Sequence, residues 1–436
     1  MKEYEKIPTS KIERATKFLT TGAKVGGNFV KHYTKKAFDP SLSRDELDKK
    51  NAEDIFNSLS ELKGGALKVM QMISMDKNTL PTEYAKKFAE AQYKAPALSY
   101  PLVVKTFQQY FGKGPTEIFE SFSKNAIHAA SIGQVHEATL NGKKLAVKVQ
   151  YPGVADSLTA DLKIVKPLAS TLFNIRQQDV EHYMEEVTGR LIEETDYENE
   201  LRQGSEIAEK CKDIENVRFP TYYPTLSNKK VLTMDWLDGM HLDKFIKENH
   251  PQETKNKVGQ ALWDFYNFQI HQLRQVHADP HPGNFLIQLK GNDVQLGILD
   301  FGCVKRLPDD FYNDFVKMLD KSILDDESRL EEVFLKLSFI NENDTAEEKA
   351  FFFNLSKTIL TMLTKPVYDG KFNFGDKAYF KRITDYGQEV ARMKEVRNTK
   401  YARGPRDGIY LGRVYFGLYN ILQELEATID TRTWQN

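Results

Sequence analysis

The stretch His277-Ala278-Asp279-Pro280-His281-Pro282-Gly283-Asn284 constrains what this chain can fold into more than any other. Each proline lacks an N–H and turns the residue before it away from helical angles, so this segment forms a rigid loop rather than a helix or strand. Within it stand a carboxylate, two imidazoles and an amide. Sixteen residues beyond Asn284 comes Asp300-Phe301-Gly302, at the end of the apolar run Leu296 to Leu299. The rest of the chain reads as scaffolding around these two segments.

At 436 residues the chain has room for about two to four domains and a substantial core. Its 61 Lys+Arg against 62 Asp+Glu give a formal charge of -1, so no global field points to nucleic acid or to a membrane. The first 36 residues are locally basic, a solvated face or one able to touch anionic lipid. With only Cys211 and Cys303, a secreted disulfide framework is excluded and a reducing compartment is expected. No signal-peptide core and no run of 18 apolar residues is present, so a cytoplasmic location, at most peripheral to a membrane, is expected. Composition leaves the oligomeric state open.

Four segments follow from the order of elements. Residues 1–42 read as a basic, mostly polar helix with a connector interrupted by Gly22, Gly26 and Gly27. Residues 43–125 read as a helical extension, opened by a capping box at Ser43-Arg44-Asp45-Glu46 and carrying the buried-face stripe Ile55, Leu59, Leu62, Ala66, Val69 and Ile73. Residues 126–236 contain two strands, about 129–138 and 145–150, around Asn141-Gly142, a strong hairpin signal. They continue with helical patterns from 155 to 176 and 180 to 210, then a strand at 231–234. Residues 237–436 hold a helix from about 255 to 276, the opening loop, a hairpin over 285–299, and a helical remainder with a basic insert near Arg403-Gly404-Pro405-Arg406.

In sequence, then, come a hairpin with Lys148, a helix with carboxylates, a strand entering a turn, an Asp-x-x-x-x-Asn loop and Asp-Phe-Gly. That order is the protein-kinase signature set. Phosphoryl transfer needs positioned metal and neutralised charge rather than covalent help. Lys148 would cancel charge on the phosphates, Asn284 and Asp300 would hold Mg²⁺ (or Mn²⁺) through hard oxygens, and Asp279 would accept the proton of an attacking hydroxyl. Two departures stand out: no Gly-x-Gly-x-x-Gly precedes Lys148, and after Asp-Phe-Gly the chain runs almost directly into a helical pattern without Ala-Pro-Glu. The short segment disfavours a protein substrate.

The residues Ala129-Ala-Ser-Ile-Gly-Gln-Val-His136, Ala146-Val-Lys-Val-Gln-Tyr-Pro-Gly-Val154, Glu194-Thr-Asp196-Tyr, His277 to Asn284 and Leu299-Asp-Phe-Gly302 together resemble the AarF/UbiB family of atypical kinases, the group that includes proteins supporting coenzyme Q biosynthesis. The resemblance runs from about residue 60 to 306. It implies an α+β, bilobal protein-kinase-like fold with a small β-containing N-lobe, an added N-terminal helical extension and a mainly helical C-lobe. It also implies binding of ATP or ADP with Mg²⁺, and action on or with a lipid or small molecule tied to isoprenoid quinone metabolism.

Residue by residue, the family's Lys-x-Gly-Gln motif falls on Lys68, Val69, Met70 and Gln71, with Met70 in place of the glycine. Its lysine would take part in catalysis and regulation, meeting Glu194 and Asp196, while Glu200 would partner Lys148. The Ala-rich nucleotide loop falls on Ala129, Ala130 and Ser131, after His128. Adenine would lie against Met234, Asp235, Trp236 and Leu237, beneath Val135 and Ala146. His277 would brace the loop, and His281 has no assigned role. Two other readings remain: a catalytically silent nucleotide-binding regulator on the same fold, and a transition-metal enzyme using His277, Asp279 and His281 as alternating ligands on an extended strand.

Overall fold

Asn141 and Gly142 have φ of 52° and 72°, the left-handed pair that a type I′ turn needs, and the two strands they join are in register from Gly133↔Gln150 to Leu140↔Lys143. Around that hairpin, the computed structural model describes residues 11–39, 41–62, 83, 84, 87, 98–129, 132–152, 154, 189, 192–291 and 293–432. Two units are distinguished: Met1–Gln203 with Thr221–Trp236, and Gly204–Pro220 with Leu237–Asn436. The chain is α+β, with the helices and mainly antiparallel sheets of a kinase-like fold.

The first unit opens with helices α1 (Lys11–Phe38) and α2 (Asp45–Leu62), packed on each other. Phe18, Val25, Ile55 and Leu59 are buried. The pairing is fixed in register by Asn28, whose Nδ2 donates to Asn51 Oδ1 and Asp54 Oδ2, both at 2.9 Å. The expected glycine connector is instead the interior of α1: three glycines cost about 1 kcal/mol each in a helix interior, which docking on α2 outweighs. The capping box is also reassigned, since Ser43 Oγ accepts from the N–H of Asp45 at 3.1 Å and donates to that residue's carboxylate at 2.8 Å.

Next come α3 (Tyr100–Phe111), closed by Gly112 in the left-handed conformation, and strands β1 (Ser121–Phe122), β2 (His128–Ala129), β3 (Gly133–Leu140) and β4 (Lys143–Gln150). Helix α4 (Tyr197–Lys210) follows, then β5 (Val217–Arg218), which belongs to the second unit, and β6 (Val231–Asp235). The sheet order is β1-β3-β4-β6, with β2 also beside β3. The expected strand from 129 to 138 is thus two strands, and the helix expected from 180 to 210 breaks at Thr195-Asp196.

Alternation gives this sheet two unlike faces. Ala138, Leu145, Val147, Val149 and Val231 pack with Val103 and Phe107 of α3 and with Phe119 and Phe122. On that face Gln134 Oε1 accepts from Leu98 N–H at 2.6 Å, its Nε2 lies 2.9 Å from His136 Nε2, and His136 Nδ1 reaches the Ser123 carbonyl at 2.8 Å. Val135, Ala146 and Lys148 lie on the other face, half-buried.

In the second unit, β7 (Met240–His241), α5 (Gln252–Phe268), β8 (Gln275–His277), β9 (Phe285–Lys290), β10 (Asp293–Ile298) and β11 (Val304–Arg306) precede helices α6 (Asp309–Phe315), α7 (Ala346–Asp369) and α8 (Arg406–Glu424). Strands β5-β10-β9-β7 form a sheet in which β5 and β10 are parallel, and β8 pairs with β11. Helix α5 ends earlier than its apolar pattern suggests, at Phe268, and a π-helical turn leads to Arg274 at φ 54° and then β8. Its Trp263, Phe265 and Tyr266 are fully buried. The expected basic insert is held in place: Arg403 makes a two-pronged ion pair with buried Asp344 at 2.6 and 2.8 Å.

His271 is buried, with Nδ1 2.7 Å from Tyr312 Oη, and burial, helped by the Arg274 charge, lowers its pKa from 6.5 to about 3. A depressed folded-state pKa means that the stabilisation is complete above about pH 6.5 and is lost as pH falls from there toward 3. His271→Gln should therefore flatten the acid limb of the unfolding free energy, measured by urea titration over that window. An unchanged slope would show that His271 is not kept neutral.

Candidate active site

Lys148 sits mid-strand in β4, and both oxygens of Glu200 accept from its Nζ at 2.9 Å. Glu200 is 1 % exposed, so this carboxylate has exchanged water for protein partners, Lys148 among them. The geometry comes from the first turn of α4. Tyr197 and Glu200 are three residues apart and share a helix face, and Lys148 Nζ lies 5.1 Å from the centre of the Tyr197 ring. Asp196 caps that turn by accepting from Asn199 N–H at 3.0 Å.

Two residues fix where the helix begins. Buried Gln150, two positions beyond Lys148 on the same strand, donates through Nε2 to the Thr195 carbonyl at 2.9 Å and accepts from Lys230 Nζ. Gly133 allows Tyr197 to approach, because a Cβ there would lie 2.6 Å from the Tyr197 hydroxyl and 2.9 Å from the Val149 carbonyl. Both belong to motifs quoted from the sequence, yet their roles depend on contacts across the sheet that no local pattern encodes.

The other residues expected at the nucleotide fall as follows. Ala129 pairs with Gln134 at the start of the hairpin, Val135 pairs with Lys148, and Ala146 with Met234. Paired residues point to one side of a sheet, so Val135, Ala146, Lys148 and Met234 share a face. At the turn after β6, Asp235 is held by the chain itself. Its carboxylate accepts from Tyr223 Oη at 2.7 Å and Thr221 N–H at 3.2 Å, and the bond from Tyr223 raises that phenol to a pKa of about 12. The N–H groups of Asp235 and Trp236 donate to the carbonyls of Thr221 and Lys144. Trp236 also lies under the Lys144 ammonium at 4.2 Å. Glu194 is half-exposed and Asp196 exposed. Lys68, Gln71, Ala130 and Ser131 lie outside the described residues.

The second unit builds the loop. His277, fully buried at the end of β8, has Nε2 at 2.5 Å from the Asp300 carbonyl and Nδ1 at 3.2 Å from Tyr266 Oη, while Gln269 Oε1 accepts its backbone N–H at 2.9 Å. A carbonyl only accepts, so Nε2 carries the proton and Nδ1 accepts from the phenol. Burial keeps the ring neutral by lowering its pKa, against the opposing pull of the Asp279 and Asp300 charges. This ring thus ties the loop to Asp-Phe-Gly, and Ala278 N–H to Cys303 carbonyl at 2.9 Å adds a second tie.

Beyond it the chain turns: His281 N–H donates to the Asp279 carbonyl at 2.7 Å and Asn284 N–H to the His281 carbonyl at 2.9 Å. His281 gains a role the sequence did not disclose, capping the turn by accepting Gly283 N–H on Nδ1 at 3.0 Å. Asn284 Nδ2 donates to both the carbonyl and Oδ2 of Asp279 at 3.1 Å. Asp300 Oδ1 accepts from Gly302 N–H at 2.8 Å, and Phe301 is buried against Phe219 and His277.

These observations overturn the transition-metal reading. Both ring nitrogens of His277 are engaged by protein, His281 Nδ1 serves the backbone, and β8 ends at His277, so Asp279 and His281 do not continue its strand as alternating ligands. Among the described residues no group of three or more His, Cys, Asp or Glu could hold a metal ion. The carboxylate of Asp300 and the amide oxygen of Asn284, turned by the bond its nitrogen makes to Asp279, are hard donors that suit Mg²⁺ completed by phosphate and water.

The loop also has a floor. A Cβ on Gly417 of α8 would come within 3.0 Å of Pro280 Cβ and 3.3 Å of the Pro280 carbonyl. Two outcomes follow for stability. Glu200→Ala, which removes the carboxylate that accepts from Lys148 Nζ, should cost about 3–5 kcal/mol in urea unfolding, with Glu200→Gln less harmful; a cost near zero would mean that the pair is not buried in solution. Gly417→Ala should cost about 1–3 kcal/mol through overpacking against Pro280, and an unchanged midpoint would show that the loop has room to move.

Residues 90–334 match the ABC1 atypical kinase-like domain. The chain is 27 % identical to the Dictyostelium discoideum protein named "Probable serine/threonine-protein kinase abkA", over 98 % of this chain and 78 % of that protein. It is 26 % identical to the atypical kinase COQ8, mitochondrial, of Saccharomyces cerevisiae, over 97 % of this chain and 83 % of that one. Several other curated relatives are matched over about half of their own length. Among solved structures, the Rv3197–erythromycin complex from Mycobacterium tuberculosis is similar with a TM-score of 0.62 and 27 % identity, covering 89 % of this chain and 96 % of that one. The chain belongs to the ABC1 atypical kinase-like family.

Proposed function

We propose that this chain binds ATP or ADP with Mg²⁺ and uses it as a phosphotransferase or ATPase acting on or with a lipid or small molecule. The observation that carries the reading is the buried Lys148–Glu200 pair. A lysine charge fixed on the half-buried face of a sheet, beside Val135 and Ala146, is what a phosphate group needs from a strand. In this reading Asp300 and Asn284 hold the metal ion, which supplies charge neutralisation on the phosphates. Asp279, its carboxylate steadied by the Asn284 amide, accepts the proton of the attacking hydroxyl. Lys68 and Gln71, with Glu194 and Asp196, are assigned the control of access to the site, and Ala129, Ala130 and Ser131 the cover over the phosphates.

A small acceptor is favoured by the segment after Asp-Phe-Gly. From Phe301 the chain enters β11, paired with β8, buries Leu307 with its N–H on the Arg274 carbonyl, and starts α6 at Asp309. Eight residues tied down in this way leave no free stretch on which to dock a peptide. That the structural neighbour is in complex with erythromycin, and that a relative is named COQ8, fit a small-molecule or quinone-related role. No described helix is long and apolar enough to cross a membrane. The cytoplasmic location expected from the sequence is proposed alongside a peripheral membrane contact, although the yeast relative is named mitochondrial.

A melting scan with Mg-ADP tests the reading. At about 100 times its dissociation constant the ligand should add about 2.7 kcal/mol to the native chain and nothing to Asp300→Asn. Absence of a shift in the native chain contradicts nucleotide binding. Asp279→Asn should retain the shift and lose about 10²–10⁴ in phosphate release; no release by the native chain, with or without added lipids, would make it a silent binder.

A further inference from the structure

The segment Leu237-Asp238-Gly239 lies against the sheet β5-β10-β9-β7, and three contacts pin it there. Leu237 rests on Gly297 of β10, where a Cβ would come within 3.2 Å of Leu237 Cδ1. Gly239 rests on β9, where its own Cβ would lie 3.0 Å from the Ile287 carbonyl oxygen and 3.2 Å from Leu286 Cβ. Between them, the Asp238 carbonyl accepts from Nη2 of Arg218. Arg218 belongs to β5 and stands opposite Gly297 in the parallel register. Its side chain uses the space that the glycine leaves open, since a Cβ on Gly297 would be 3.6 Å from Arg218 Nε.

Stability alone does not account for this arginine. Its Nε is buried and has no hydrogen-bond partner among the described residues, and burial pulls the guanidinium pKa down against the raising effect of the Asp238 charge. A buried donor left unpaired destabilises a fold, and an apolar side chain of similar length in such a place is commonly neutral or stabilising. What the arginine supplies is a fixed position for the Asp238 carbonyl.

We propose that Arg218 is a positioning residue for the purine end of the nucleotide, holding Leu237-Asp238-Gly239 at a fixed distance from the carboxylate of Asp300. The inference rests on the nucleotide reading above, in which adenine lies against Leu237 and Asp300 holds the metal ion. The strand beside Arg218 leads directly to that second end. Leu296 N–H donates to the Asn216 carbonyl at 2.8 Å, Gly297 follows, and Asp300 comes three residues later, after Leu299 N–H has bonded the Asn284 carbonyl at 3.0 Å. A nucleoside diphosphate engages both ends at once, and it gains fully from both only where their spacing is set before it binds. Arg218 thus acts on the nucleotide through the Asp238 backbone rather than through its own charge.

The test uses the full chain and calorimetry with three ligands: Mg-ADP, adenosine, and Mg-pyrophosphate, which lacks the purine. Arg218→Met keeps the length of the side chain and donates nothing. It should melt no lower than the native chain and bind Mg-pyrophosphate as before, yet bind Mg-ADP and adenosine about tenfold more weakly, because the ligand must then order the segment itself. Arg218→Lys, which retains a donor, should recover part of the loss. Gly297→Val, which crowds Leu237 from the strand side, should reproduce the pattern without touching Arg218. A merely structural role would lower the melting temperature and leave the relative affinities of the three ligands alone. Native-like affinity for Mg-ADP in Arg218→Met, an equal loss for pyrophosphate, or a lysine variant no better than the methionine one would each overturn the inference. Failure of the native chain to bind Mg-ADP would overturn the nucleotide reading itself, and this inference with it.

Discussion

The structure depends most on a single exchange of water for protein, the burial of Glu200 against Lys148. A carboxylate at that depth is tolerated only because both its oxygens are taken, and both are taken only because α4 begins where it does. That start is in turn set by Gln150, which reaches from the lysine's own strand to the Thr195 carbonyl, and by the missing side chain of Gly133, which admits Tyr197. One strand therefore supplies the charge, and through Gln150 it also sets where the helix carrying the counter-charge begins. Loss of any of these residues would disturb the geometry in which Glu200 holds the lysine.

The second unit solves a related problem without charge. Its proline-rich loop cannot take part in a helix or a sheet, so side chains must hold it. His277 does this as a neutral ring with a defined tautomer, joining Tyr266, the loop and the Asp300 carbonyl, while His281 closes the turn and Gly417 lets α8 support Pro280. The polar groups to which the proposed function assigns the chemistry, Asp279, Asn284 and Asp300, are thus held among neighbours that only position the chain. A site of this kind tolerates little adjustment in its supporting shell, because each bond serves a rigid segment.

Local chemistry explains which parts were legible in the sequence. Asn141-Gly142 dictates its own hairpin, the prolines dictate the loop, and the kinase-like order of Lys148, Asp279, Asn284 and Asp300 follows from spacing alone. The α+β, kinase-like fold and the family were readable through the resemblance that the longer motifs around those residues carry. What failed was the reading of residues by type. Glycines in α1 looked like breaks, but docking on α2 overrides propensity. The carboxylate run from Glu193 to Glu200 looked like one helix, but Asp196 caps a new one. The parallel pairing of β5 with β10 and the roles of Gln150 and His281 rest on contacts between distant parts of the chain, which no local pattern records.

The central claim is that the Lys148–Glu200 pair presents a fixed positive charge to phosphate. Comparing the affinities of Mg-ADP and of adenosine, for the native chain and for Glu200→Gln, tests it most directly by calorimetry. The account predicts that Glu200→Gln weakens ADP and leaves adenosine unchanged, because only the phosphates use the lysine. Equal weakening of both ligands, or of neither, would contradict it.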